Sequence, residues 1–177
     1  MLPAVTLAVN EMNERAKMGE QSNERVDSIC NQTPNPKFCI DAIYTDPQAS
    51  DANTVGLAYI DFRLAITNAT NTLSFITNLQ YRYNAPPNGV TGLTPCSVGY
   101  KKAKNALEAA LADLDSDTYE LEQFAAVSAQ SADRCQHSLN STRMMKQISV
   151  RSRLIRRNTD LKLLTGICSV ISSMLVR

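Results

Sequence analysis

Four of the five cysteines constrain this chain more than any other feature. Cys30 and Cys39 flank Asn31-Gln32-Thr33-Pro34-Asn35-Pro36-Lys37-Phe38, a turn bracketed by two prolines. Cys96 opens one strong helical pattern and Cys135 lies inside the next. A short staple near the N-terminus and a long one across two helices describe a rigid helical protein from an oxidising compartment. They do not describe a zinc site, which needs close Cys/His pairs; the sequence has a single histidine and no Cys-x-x-Cys.

At 177 residues the chain is long enough for one domain with a sizeable core. It has no tryptophan and few aromatics or glycines, while alanine and leucine are plentiful, which favours helix over strand. Charge is nearly balanced but segregated. Residues 1–142 carry 10 Lys/Arg against 16 Asp/Glu, whereas residues 143–177 carry 8 against 1, so an acidic body meets a basic tail. No apolar run is long enough to span a bilayer. Met1 to Val9 is apolar but short and lacks a positive leading region, so no signal peptide is recognisable in it.

Residues 4–30 read as one or two short helices broken near Gly19 to Asn23. Pro34 and Pro36 force a turn, and Phe38 to Tyr44 makes a short helix after it. From Ser50 to Tyr83 runs a long helical pattern, with Leu57, Ile60, Leu64, Leu73, Ile76 and Leu79 toward one side. Asn84-Ala85-Pro86-Pro87-Asn88-Gly89 is a loop, and Thr94-Pro95 reads as a cap followed by proline in the first turn. Tyr100, Ala103, Leu107, Leu111 and Leu114 then recur at helical spacing. Asp115-Ser116-Asp117 reads as a tight corner that caps a third long helix carrying Leu121, Phe124, Ser128, Ala132, Cys135 and Leu139. Arg143 to Arg157 is basic and weakly patterned. A last helix follows through Leu161, Leu164, Cys168, Ile171 and Leu175, with Asp160 expected at its positive end.

Four long amphipathic helices joined by short loops bury their stripes only against one another. The expected fold is therefore all-α: an antiparallel four-helix bundle with an N-terminal helical hairpin and two disulfides. Antiparallel neighbours allow Cys96, near the start of one helix, to meet Cys135, late in the next.

Little in the sequence calls for chemistry. Asp113-x-Asp115-x-Asp117 has calcium-loop spacing but lacks the glycine at the sixth position, and Phe124 stands where the twelfth-position glutamate belongs, so these residues read as helix-end and capping groups. His137 has no Cys or second His nearby and reads as a partly exposed helix residue. No serine has a recognisable His and acid around it, and nothing calls for a metal or cofactor. Arg143, Lys146, Arg151, Arg153, Arg156 and Arg157 form a basic run that reads first as a solvated linker and second as a weak polyanion contact. Without interleaved aromatics it does not suit nucleic acid. Cys168, on an apolar stripe, reads as a buried thiol. Sequons at Asn31, Asn68 and Asn140 mark candidate glycosylation positions.

The motifs Ile29-Cys30-x-x-Thr33-x-x-Pro36-x-x-Cys39, Cys96-x-x-x-Tyr100-x-x-Ala103 with Leu107 and Leu111, Ala125-Ala126-Val127-Ser128 leading to Cys135, and Leu161-x-x-Leu164-x-x-x-Cys168 occur in this order. Together they resemble the plant invertase and pectin methylesterase inhibitor family over residues 25–177, with 25–48 as the hairpin, 50–177 as the bundle and 1–24 as an extension. The resemblance implies disulfides from first to second and from third to fourth cysteine, an unpaired Cys168, and a secreted cell-wall protein that is not an enzyme. Such a protein docks a rigid bundle face over the cleft of a carbohydrate-active enzyme.

Two target classes follow from the resemblance, pectin methylesterase and acid invertase. Invertase inhibitors commonly place Pro-Lys-Phe in the turn between the second and third bundle helices. Here that slot holds Thr118-Tyr119-Glu120, and Pro36-Lys37-Phe38 lies instead inside the short disulfide loop. The resemblance thus points to pectin methylesterase first and acid invertase second, and an allergen-like or interaction bundle without an enzyme target is a third reading. At the fourth cysteine the run Arg134-Cys135-Gln136-His137 departs from the family's usual Thr-Cys followed by acidic residues. The expected docking face combines the second and third bundle helices: Lys101, Asp117, Thr118, Tyr119, Glu122 and Gln123. A ligand-carrying bundle would instead show a cavity among Leu64, Leu107, Phe124 and Leu164.

Overall fold

The structure, a computed structural model, describes residues 23–82, 93–118, 121–141 and 148–176. Its elements are α1 (Glu24–Cys30), α2 (Pro36–Ile43), a 3₁₀ turn (Pro47–Ser50), α3 (Thr54–Arg82), α4 (Leu93–Asp115), α5 (Glu122–Ser141) and α6 (Ile148–Leu175). Tyr119, the 84–89 loop, Arg143, Lys146 and the helices expected before residue 23 lie outside the described residues.

Short polar side chains start the early elements. Asn23 Oδ1 accepts from Arg25 N at 3.0 Å and Asn35 Oδ1 from Phe38 N at 3.1 Å. Asp46 Oδ1 accepts from Gln48 N at 2.9 Å and Asn53 Oδ1 from Gly56 N at 2.8 Å. Each satisfies an orphan donor, and Pro36 and Pro47 follow two of the caps where a missing N–H costs nothing. Thr33 Oγ1 donates to the Cys30 carbonyl at 2.7 Å, closing α1 inside the loop that the Cys30–Cys39 disulfide ties.

The four long helices form a closed ring in which α3 meets α4, α4 meets α5, α5 meets α6 and α6 returns to α3. Buried positions recur at alternating three- and four-residue steps, as in coiled-coil seams. They are Leu93, Cys96, Tyr100, Ala103, Leu107, Ala110 and Leu114 on α4, and Leu154, Asn158, Leu161, Thr165, Cys168 and Ser172 on α6. On α3 the seam runs through Ala58, Asp61, Ala65, Ala69, Thr72, Ile76 and Leu79, so the expected Leu64 and Leu73 are only half-buried at its margin. The α1–α2 hairpin packs on α3 and α6.

Antiparallel packing of α4 and α5 brings Cys96 to Cys135 with their Cα atoms 4.2 Å apart, and the two are bonded. One turn further along α4, a Cβ added to Gly99 would stand 2.9 Å from the Ser131 carbonyl oxygen. Only glycine admits this approach without displacing backbone. Gly99→Ala is expected to cost about 1–3 kcal/mol in denaturant melts, and an unchanged midpoint would show that the helices separate freely there.

Three local expectations are corrected. The basic stretch is not a linker: α6 begins at Ile148, so Arg151, Arg153, Arg156 and Arg157 are helical. Asp160 consequently lies in mid-helix rather than at a positive end. Thr94 lies inside α4, which starts at Leu93.

Leu107 and Leu164 belong to the core, and Leu64 and Phe124 pack against it. Cys168 is a buried free thiol. No helix among the described residues is long and apolar enough to cross a membrane.

Candidate functional site

Asp117 does not cap α5; it ends α4. Its φ of 54° is left-handed. Thr118 N donates to the Asp113 carbonyl at 3.0 Å and Asp117 N to the Leu114 carbonyl at 3.3 Å, the paired bonds of a Schellman ending. The acidic triplet is therefore helix-end machinery: Asp113 supplies a carbonyl, and Asp115 Oδ1 accepts from the Tyr59 hydroxyl of α3. Because Asp117 holds a conformation that suits glycine, Asp117→Gly is expected to stabilise the protein by about 1 kcal/mol. A thermal melt that fell instead would show that its side chain supports the corner.

Beyond the corner, Leu121 is buried and α5 begins at Glu122, whose carboxylate stands in the first turn, where the helix dipole favours it. Asp117, Thr118, Glu122 and Gln123 are all exposed and adjacent in this one corner. Lys101 is exposed too, but it sits about 24 Å back along α4 at 1.5 Å per residue, so it is not part of that cluster. Tyr119 falls outside the described residues.

Two residues absent from the expected face join it. Tyr59, bonded to Asp115, is half-buried near the start of α3, and the Arg63 guanidinium lies over its ring at 5.7 Å from the centroid. Tyrosine and arginine are the side chains that most often carry binding energy at protein interfaces. No local pattern betrays them, because the contact joins residues 56 positions apart.

Arg134 and His137 are exposed on α5, well away from the corner; Arg134 Nη2 donates to Gln130 Oε1 at 3.3 Å, within its own helix. The departure from the family pattern at Arg134 therefore falls about 18 Å from Glu122 along the helix. Among the sequons, Asn31 and Asn140 are exposed. Asn68 is half-buried between α3 and α6, with its Oδ1 enclosed.

Helix ends locked by a Schellman turn, an interhelical Tyr–Asp bond and a disulfide define a cross-braced helical-bundle protein. Comparison with known proteins narrows the class. The family model described as plant invertase/pectin methylesterase inhibitor matches residues 24–171. The chain belongs to this family, whose members are enzyme inhibitors. It is 30% identical to cell wall / vacuolar inhibitor of fructosidase 2 of Arabidopsis thaliana, over 86% of this chain and 82% of that one. It is 26% identical to the pectinesterase inhibitor of Actinidia deliciosa, over 97% of this chain and 89% of that one. A crystal structure of a mutant form of a pectin methylesterase inhibitor from Arabidopsis superposes with a TM-score of 0.72 at 25% identity, over 86% of this chain and 97% of that one.

Proposed function

We propose that this chain is a secreted, cell-wall inhibitor of pectin methylesterase that catalyses nothing and acts by laying the α4–α5 corner over the enzyme's cleft. The observation that carries the reading is the exposed set Asp117, Thr118, Glu122 and Gln123, braced from α3 by Tyr59. Donors, acceptors and an aromatic group held on fixed helix ends lose little entropy on docking, which suits contact with a sugar-binding cleft. The Thr118-Tyr119-Glu120 run where invertase inhibitors place Pro-Lys-Phe supports the esterase as target. Acid invertase is the second reading, supported by the likeness to the fructosidase inhibitor.

The test is a double substitution, Thr118→Arg with Gln123→Arg, in an esterase inhibition assay at mildly acidic pH. Both positions are exposed, so the melt should hold while the inhibition constant rises at least tenfold. Unchanged inhibition by the folded variant would place the docking face elsewhere.

A further inference from the structure

A second polar site lies away from the corner. Asn68 of α3 and Ser152, Arg153, Arg156, Arg157 and Asp160 of α6 line a cleft of about 590 Å³, within the range of small-molecule sites. Three guanidinium groups there face one carboxylate. Among the described residues, no ion pair engages Arg153, Arg156 or Arg157. Burial raises the pKa of Asp160, while Arg156 and Arg157 pull it down. Arg157 is held in place by the Phe75 ring of α3, 5.2 Å from its guanidinium carbon.

Beside them the half-buried Asp160 sets a carboxylate, a hydrogen-bond acceptor, among the guanidinium groups. A simple anion would answer the arginines but be repelled by that carboxylate. A ligand bearing both carboxylates and hydroxyl donors answers the arginines and the carboxylate together. None of the described residues lining the cleft is aromatic, so it offers no stacking platform, which counts against nucleic acid.

We propose that the α3–α6 cleft binds an acidic sugar chain, with uronate carboxylates on Arg153, Arg156 and Arg157 and ring hydroxyls on Asp160. The site is separate from enzyme docking and does not depend on it. A glycan on the Asn68 sequon would occupy the same cleft, so the test uses full-length, disulfide-intact protein from a host that adds no N-glycan.

Trigalacturonate is titrated calorimetrically, with its methyl ester and inorganic phosphate as controls. Saturable binding of the acid is expected, at least tenfold tighter than of the ester or of phosphate. Arg153→Gln with Arg156→Gln should weaken binding at least tenfold, Asp160→Ala at least threefold, and Thr118→Arg with Gln123→Arg not at all. All are surface or half-buried positions, and a melt confirms that each variant is folded. Absence of saturable binding, or indifference to the arginine pair, overturns the site. Phosphate binding as tightly as the uronate overturns its assignment to sugar.

Discussion

Replacing Cys96 and Cys135 together by alanine should lower the unfolding free energy by about 4 kcal/mol, the largest loss expected from removing any one link in this molecule. The bond closes a loop of sequence separation 39, against 9 for Cys30–Cys39, whose removal should cost about 3 kcal/mol. In both cases the expected loss comes mainly from the freedom that the unfolded chain regains. For a domain of this size the larger loss corresponds to a fall of roughly 8–16 °C in Tm. Calorimetry of the intact and double-alanine proteins under non-reducing conditions checks it. A fall of only a degree or two would mean that helix packing alone fixes α4 against α5.

The second large effect comes from Asp61, fully buried in the α3 seam. Neither carboxyl oxygen has a hydrogen-bond partner of good geometry, and the polar group acting on it is the buried Cys168 thiol of α6. Desolvation pushes its pKa from 3.8 up to about 8, with the thiol pulling weakly the other way. Burial, with Asp61 beside it, raises the thiol's own pKa well above the ordinary value, so Cys168 stays neutral over the range that matters.

Between pH 4 and 8 the folded protein therefore holds a proton that the unfolded chain has lost. Stability falls as pH rises through that window, by up to about 1.4 kcal/mol per pH unit, and levels off above the folded pKa. The protein should be most robust at acidic pH. Asp61→Asn, neutral throughout, should flatten the profile and melt above the parent at pH 8. Parallel profiles for the two proteins would show that Asp61 is charged in the fold or hydrated.

The bundle was legible because its seams are written in leucine, isoleucine and alanine at three- and four-residue steps, and its breaks in proline and asparagine. The start of α6 was not. Leu154 and Leu161 flank Asn158, a buried polar group that reads from sequence as solvent-facing. Its reason is a partner on another helix: Tyr100 donates to Asn158 Oδ1 at 2.7 Å, and Asn158 Nδ2 donates to Gln136 Oε1 at 3.3 Å. With arginines on both sides, the stripe falls below recognition and the segment looks like a linker. Asp61 hides for the same reason, since nothing local marks one carboxylate as buried. Of the site, the corner could be found from the break after Leu114, but Tyr59 and Arg63 reach it only through tertiary packing.

The most direct measurement is a side-by-side titration of disulfide-intact protein into pectin methylesterase and acid invertase at mildly acidic pH. The account predicts saturable loss of esterase activity with the inhibitor recovered chemically unchanged, and little effect on invertase. Full esterase activity at saturating protein, with both disulfides verified, would contradict it.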